Sequence, residues 1–150
     1  MMQRNNVNIR PAIFEDSASV AKLEEMCFSA PWSENAILET MSGETSCFLV
    51  AECDGVVCGY IGAYSVADEG YITNVAVDVN KRRCGIGQAL AECLIEEGRK
   101  RNLAFWTLEV RESNTAARTL YEKIGFEIVG KRPRFYTNPT EAAVLMTIYI

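Results

Sequence analysis

The chain has 150 residues, 49% hydrophobic and 23% charged, which reads as one soluble domain able to bury a real core. A net charge of -5 argues against wholesale coating of nucleic acid, and no apolar run nears the ~20 residues of a membrane span. Histidine is absent, which excludes a His general base and a Cys–His nucleophile, and six cysteines without a C-x-x-C pair leave no expected metal site. Met1 to Asn6 carry no apolar leader region, so a cytoplasmic protein with reduced thiols is expected.

Val7 to Arg10 alternates and predicts a first strand. Glu15 to Phe28 has apolar residues at helical spacing, and Pro31-Trp32 breaks it. Ser33 is placed to cap a second helix running to Met41. Cys47 to Glu52 and Val56 to Ser65 predict two strands joined by the hairpin signal Asp54-Gly55, and Tyr71 to Val77 follows as a third. The second half changes character. Gly87 to Arg101 predicts a helix with Ile86, Ala89, Leu90, Cys93 and Leu94 inward. Ala104 to Val110 predicts a strand, and Asn114 to Ile124 a helix capped by Ser113 or Asn114 and stopped at Gly125. Phe126 to Val129 and Val144 to Ile150 close the sheet. Strand, helix, strand, helix, strand implies a parallel crossover in this half, so the fold class is α/β with a mixed sheet, antiparallel first and partly parallel later. No linker or repeat divides residues 1–150.

The stretch Arg82-Arg83-Cys84-Gly85-Ile86-Gly87-Gln88 precedes the third helix. Glycines at a helix entry expose backbone N–H groups at a positive dipole end, which suits a phosphate. Three readings compete: glycines for turn geometry alone, a dinucleotide fingerprint, and a basic pyrophosphate loop serving coenzyme A. The dinucleotide reading is weakened because Leu90 stands at the third glycine position and the preceding strand ends near Val77. A P-loop is excluded, since no Lys-Ser/Thr follows the second glycine.

Arg82 to Gly87 resembles the (Gln/Arg)-x-x-Gly-x-(Gly/Ala) motif of the GCN5-related N-acetyltransferase (GNAT) superfamily. Asn74-Val75-Ala76-Val77 is similar to that family's cofactor-lining strand, and Asn114-x-x-Ala117-x-x-Leu120-Tyr121-x-x-x-Gly125-Phe126 to its later motif. Within the superfamily the chain most resembles the ribosomal-protein-alanine N-acetyltransferases, through Pro31-Trp32-Ser33, Leu108-Glu109-Val110-Arg111, Leu120-Tyr121-Glu122 and Arg134-Phe135-Tyr136. Cys84 departs from the arginine common there.

The resemblance implies a single GNAT domain with about four helices around the sheet. It implies acetyl-CoA as cosubstrate, held by Val75, Ala76, Val77, Arg82, Arg83, Cys84, Gly85, Ile86, Gly87, Gln88 and Asn114. It implies a protein N-terminus as acceptor, that of a small-subunit ribosomal protein beginning with alanine, with Glu109 as proton acceptor and Tyr121 as acid at the leaving thiolate. The chemistry is consistent. An α-amine has a pKa near ~7.7–8.0 against ~10.4 for lysine, so freeing it at neutral pH costs about 3–4 kcal/mol less and a carboxylate base suffices. Taken alone, Glu109 also reads as a solvated strand-end acid, Tyr121 as core packing and Asn114 as a helix cap. Transfer to a small amine or a lysine side chain, and a non-catalytic acyl-CoA sensor, are the other readings.

Overall fold

The computed structural model describes residues 7–82 and 84–150, and Arg83 lies outside them. The elements run β1 (Val7–Pro11), α1 (Ser17–Cys27), α2 (Glu34–Met41), β2 (Ser46–Cys53), β3 (Val56–Val66), β4 (Glu69–Val77), α3 (Ile86–Lys100), β5 (Phe105–Arg111), α4 (Thr115–Ile124), β6 (Glu127–Tyr136) and β7 (Glu141–Tyr149). The helix expected from Glu15 opens instead as a 3-10 turn, Phe14–Asp16. There the Asp16 carboxylate accepts from the Ile13 N–H at 2.8 Å and from Arg10 at 2.7 Å, which holds the turn to β1. Ser33 caps α2 as expected, its hydroxyl accepting from the Ala36 N–H at 3.1 Å.

The strands form one seven-stranded sheet in the order β1-β2-β3-β4-β5-β7-β6. Every neighbouring pair is antiparallel except β4 and β5, which pair in parallel from Glu69–Phe105 to Tyr71–Thr107. The expected parallel crossover is present as β4–α3–β5, and only the strand that follows α4 takes an unexpected place. The strand after α4 does not lie beside β5, because β7 inserts between them and pairs antiparallel with both. The expected strand Phe126 to Val129 also runs much further, to Tyr136. As the sheet's edge it is exposed along most of its length, so no inward-outward alternation marks it, and Pro133 is tolerated there.

Both faces of the sheet are covered at its centre, which makes β2 an almost continuous buried run. Leu49 and Ala51 face α3, while Phe48 and Val50 face α1 and α2. The buried stripe of α3 is Ile86, Leu90, Ala91, Leu94, Ile95 and Gly98. It is rotated from the expected one: Cys93 is exposed, and Ala91 and Ile95 take the inner positions. Trp106 of β5 is fully buried under this helix and donates its indole N–H to the Leu94 carbonyl at 3.0 Å. Glycine is required on two sides of the indole, since a Cβ at Gly70 or Gly98 would lie 2.4 Å from it.

Two features open the sheet. The β3–β4 register passes from Ala63–Ile72 to Gly62–Asn74, leaving Thr73 as an extra residue that bends β4. The β4–β5 ladder ends at Tyr71–Thr107, and beyond it the two strands part.

Candidate active site

The parting of β4 and β5 makes a cleft of about 470 Å³. Its walls are β4 (Ile72 to Val75), β5 (Leu108 to Arg111), the end of α1 with Phe28 to Ala30, the inner face of α4, and Tyr136. Of the residues singled out in the sequence, Val75, Glu109, Asn114 and Tyr121 meet here.

Glu109 sits on the uncovered face of β5, exposed, and its carboxylate pairs with the Arg132 guanidinium at 3.3 Å. Alternation places Leu108 and Val110 in the core, so the same strand that is anchored by Trp106 presents Glu109 to the cleft. Tyr121 is the buried residue of α4 and stacks edge-on against Phe126 with ring centres 5.4 Å apart. Burial pushes its phenol above the ordinary tyrosine range, and its hydroxyl has no hydrogen-bond partner among the described residues. Gly125, at φ +125°, ends α4 and lets the chain turn so that the Phe126 N–H reaches the Tyr121 carbonyl at 2.9 Å. Asn114 is the helix cap, its Oδ1 accepting from the Ala117 N–H at 3.2 Å, while Ser113 spends its N–H on Glu141.

Two residues across the cleft were not singled out as site residues. Arg111 lies over the Tyr136 ring at 4.5 Å and donates to the Thr137 carbonyl at 2.9 Å and the Pro139 carbonyl at 3.0 Å, holding the β6–β7 turn against β5. Burial, with Glu109 nearby, pushes the Tyr136 phenol up.

Glu24 is the third addition and the most buried. It is 0% exposed, lines the cleft, and accepts from the Trp32 N–H and the Asn74 amide, each at 2.9 Å, and from the Tyr60 hydroxyl. Burial and the adjacent Glu24 hold the Tyr60 phenol well above its usual range. A signal was present: Val20, Leu23, Glu24 and Cys27 share one helical face, and a lone acid there is unusual.

The glycine loop lies apart from the cleft walls. Gly85, at φ +78°, is the N-cap of α3 and offers no side chain to the helix end. The first intrahelical bond is the Ala89 N–H to the Gly85 carbonyl, at 3.0 Å. The N–H groups of Ile86, Gly87 and Gln88 have no partner among the described residues. This donor set at a positive helix end fits a pyrophosphate. Cys84, Gly85, Ile86 and Gln88 line a smaller recess of about 160 Å³ against β1. Gly87 packs toward α4, where a Cβ would meet the Leu120 side chain at 3.3 Å. Arg82 folds back, its Nε donating to the Val77 carbonyl at 3.3 Å. Ala76 points into the core beneath α1 and lines neither the cleft nor the recess.

The acetyltransferase (GNAT) family model matches residues 17–126. The [ribosomal protein bS18]-alanine N-acetyltransferase of Escherichia coli K12 is 34% identical over 137 residues, 90% of this chain and 92% of that protein. The crystal structure of the ribosomal-protein-S18-alanine N-acetyltransferase from Escherichia coli superposes with a TM-score of 0.89 at 34% identity, covering 96% of this chain and 94% of that one. Ard1 from Thermoplasma volcanium follows the same fold, with a TM-score of 0.88 at 28% identity over 97% and 98% of the two chains. With a model match over more than half its length and a relative above 30% identity across nearly all of it, the chain belongs to the acetyltransferase (GNAT) family, the acetyl-CoA-dependent N-acetyltransferases.

Proposed function

We propose that this protein acetylates the N-terminal α-amine of a protein, with a small-subunit ribosomal protein beginning with alanine as the cytoplasmic substrate and residues 1–150 acting as one transferase domain. The observation that carries the reading is the cleft itself: one cavity of about 470 Å³ holds a strand-end carboxylate, Glu109, and a buried phenol, Tyr121. The similarity to an Escherichia coli enzyme named for that substrate, over 90% of this chain, supports the choice of acceptor.

The free N–H groups of Ile86, Gly87 and Gln88 would hold the pyrophosphate of acetyl-CoA, with Arg82 and Arg83 adding charge. Val75 to Val77, Cys84, Gly85 and Asn114 complete the proposed cosubstrate site. Acetyl-CoA would supply the acyl group as a thioester: an uncharged amine attacks the carbonyl, the C–N bond forms as the C–S bond breaks, and coenzyme A leaves as a thiolate that the Tyr121 hydroxyl hydrogen-bonds or protonates. Glu109 takes the proton from the amine at its carboxylate, directly or through one water, and Arg132 keeps that carboxylate oriented. Tyr121 remains protonated across the working pH range, because burial raises its phenol, and its hydroxyl is a standing hydrogen-bond donor in the cleft wall.

Mass spectrometry of peptides with a free terminal alanine and an internal lysine tests the acceptor. The acetyl group is expected on the terminus, with lysine spared. Acetylation mainly on lysine, or on small amines alone, would overturn the terminal-amine reading.

The loop is tested separately. Gly87→Glu is expected to weaken coenzyme A binding by at least tenfold, since a carboxylate would enter the anion site at the helix end. Gly87→Ala should bind nearly normally, because among the described residues its Cβ would meet only the end of the Leu120 side chain, at 3.3 Å, and Val77 at 3.9 Å. Calorimetry showing equal affinity for both variants would place the pyrophosphate elsewhere.

A further inference from the structure

We propose that Cys53 and Cys58 are a redox modification site, a dithiol that hydrogen peroxide converts to an intrachain disulfide and that a thiol reductant restores. The pair lies in the β2–β3 hairpin and stands independently of the acceptor proposed above. Local sequence brings the two thiols together. Asp54 and Gly55 both take positive φ, +52° and +80°, as a two-residue hairpin turn requires. The turn sets Cys53 opposite Val56 and Glu52 opposite Val57. The next pair is Ala51 with Gly59, so Cys58 is an extra residue, a bulge in β3. Its thiol reaches the Ala51 carbonyl at 3.4 Å and lies 2.6 Å from the Cys53 sulfur. Reacting atoms in a near-attack arrangement stand ~3–3.5 Å apart, and a finished S–S bond measures ~2.05 Å. The two sulfurs are therefore already at reacting distance. Cys27 is turned instead to the Val77 carbonyl and Arg82, and Cys84 to the Arg82 carbonyl. Cys47 and Cys93 have no sulfur partner among the described residues.

The two thiols differ in environment, and the difference assigns their roles. Cys53 is half-buried at the end of β2, beside the exposed Asp54-Gly55 turn, so it is the one that meets a small oxidant. Cys58 is buried, 2% exposed. Burial and the neighbouring Cys53 push its thiol up to about 12, which keeps it protonated until Cys53 reacts. In the first step the Cys53 sulfur attacks one peroxide oxygen. The O–O bond breaks, the departing hydroxide takes the thiol proton as water, and Cys53 is left as a sulfenic acid. In the second step the Cys58 sulfur attacks the Cys53 sulfur. The S–S bond forms as the S–O bond breaks, and the hydroxide leaves with the Cys58 proton as a second water. The two thiols together lose two electrons, and peroxide gains them in becoming two waters. Contact between the sulfurs makes the second step effectively unimolecular, so it should outrun further oxidation of Cys53 to the sulfinic acid.

The test treats the folded full chain with an equimolar amount of hydrogen peroxide, then denatures it, alkylates the free thiols and maps them by mass spectrometry. Cleavage after Glu52 and Glu69 releases a peptide whose only cysteines are Cys53 and Cys58. That peptide should be found unalkylated and ~2 Da lighter, the mass of the two hydrogens lost, and dithiothreitol before alkylation should restore both thiols. Cys58→Ser removes the second thiol and should raise the dimedone adduct of a sulfenic acid on Cys53 at least ~10-fold over the unsubstituted protein. Cys53→Ser should leave Cys58 reduced, since burial keeps the oxidant from it. Circular dichroism shows whether the variants fold. Should Cys58→Ser not fold, Cys58→Ala takes its place, and the mapping in the unsubstituted protein decides the pairing by itself. The proposal is overturned if Cys53 and Cys58 are both alkylated while Cys84 or Cys93 is oxidised. It is equally overturned if loss of the Cys58 thiol traps no more sulfenic acid on Cys53.

Discussion

Glu109→Gln is expected to lower kcat by about 10²–10⁴-fold at neutral pH, and Tyr121→Phe by a similar range, the usual worth of a positioned base or acid. Their responses to pH should differ. Glutamine keeps the size of Glu109 and can still face Arg132, but it takes no proton. Raising the pH through ~7.7–8.0 supplies neutral amine from solution, so the Glu109→Gln deficit should shrink on the alkaline side. Phenylalanine keeps the edge-on packing against Phe126 and removes only the hydroxyl. Alkaline pH cannot replace that donor, so the Tyr121→Phe deficit should be constant from pH 6 to 9. Steady-state kinetics over that range, with circular dichroism to show both folds intact, checks the pair. Near-normal kcat in both variants would return Glu109 to a solvent-facing acid and Tyr121 to a core aromatic.

Trp106→Ala carries the largest expected loss of stability, about 3–5 kcal/mol, as for other large aromatic truncations in a core. The indole is fully buried and bonded to Leu94, and Gly70 and Gly98 are bare to admit it. Truncation leaves a void between β4, β5 and α3, the elements that place Glu109. Domains of this kind are stable by only about 5–15 kcal/mol, so much of the margin would go. The converse, Gly98→Ala, should also destabilise, by about 1–3 kcal/mol, even though alanine favours helix by about 1 kcal/mol, because its Cβ would sit 2.4 Å from the indole nitrogen. Urea midpoints measure both. A loss below 1 kcal/mol for Trp106→Ala would mean that α3 and the sheet do not depend on this contact.

Much of this molecule was legible in local pattern. The hairpin at Asp54-Gly55, the Ser33 and Asn114 caps and the stop at Gly125 rest on interactions within a few residues, so residue order alone determines them. The glycine loop was legible for the same reason, since a left-handed Gly85 before an uncapped helix end is a local conformation. Glu109 and Tyr121 stood out through resemblance, and their strand and helix were correctly anticipated.

What the order of residues could not decide is where distant segments meet. The edge strand β6 carries no alternation, so neither its length to Tyr136 nor the insertion of β7 beside β5 was visible. Arg111 and Tyr136 join the cleft only because that insertion brings the β6–β7 turn to the end of β5. Cys93 looked as good an inner residue as Ala91 or Ile95, and the sheet beneath α3 made the choice. Glu24 is the sharpest instance. On the helix it is one acid beside another, Glu25; only the folding of Trp32, Tyr60 and Asn74 around it makes it a buried, hydrogen-bonded carboxyl group. Burial and hydrogen bonding depend on neighbours far away in sequence, 36 residues for Tyr60 and 50 for Asn74, so they belong to the tertiary structure alone.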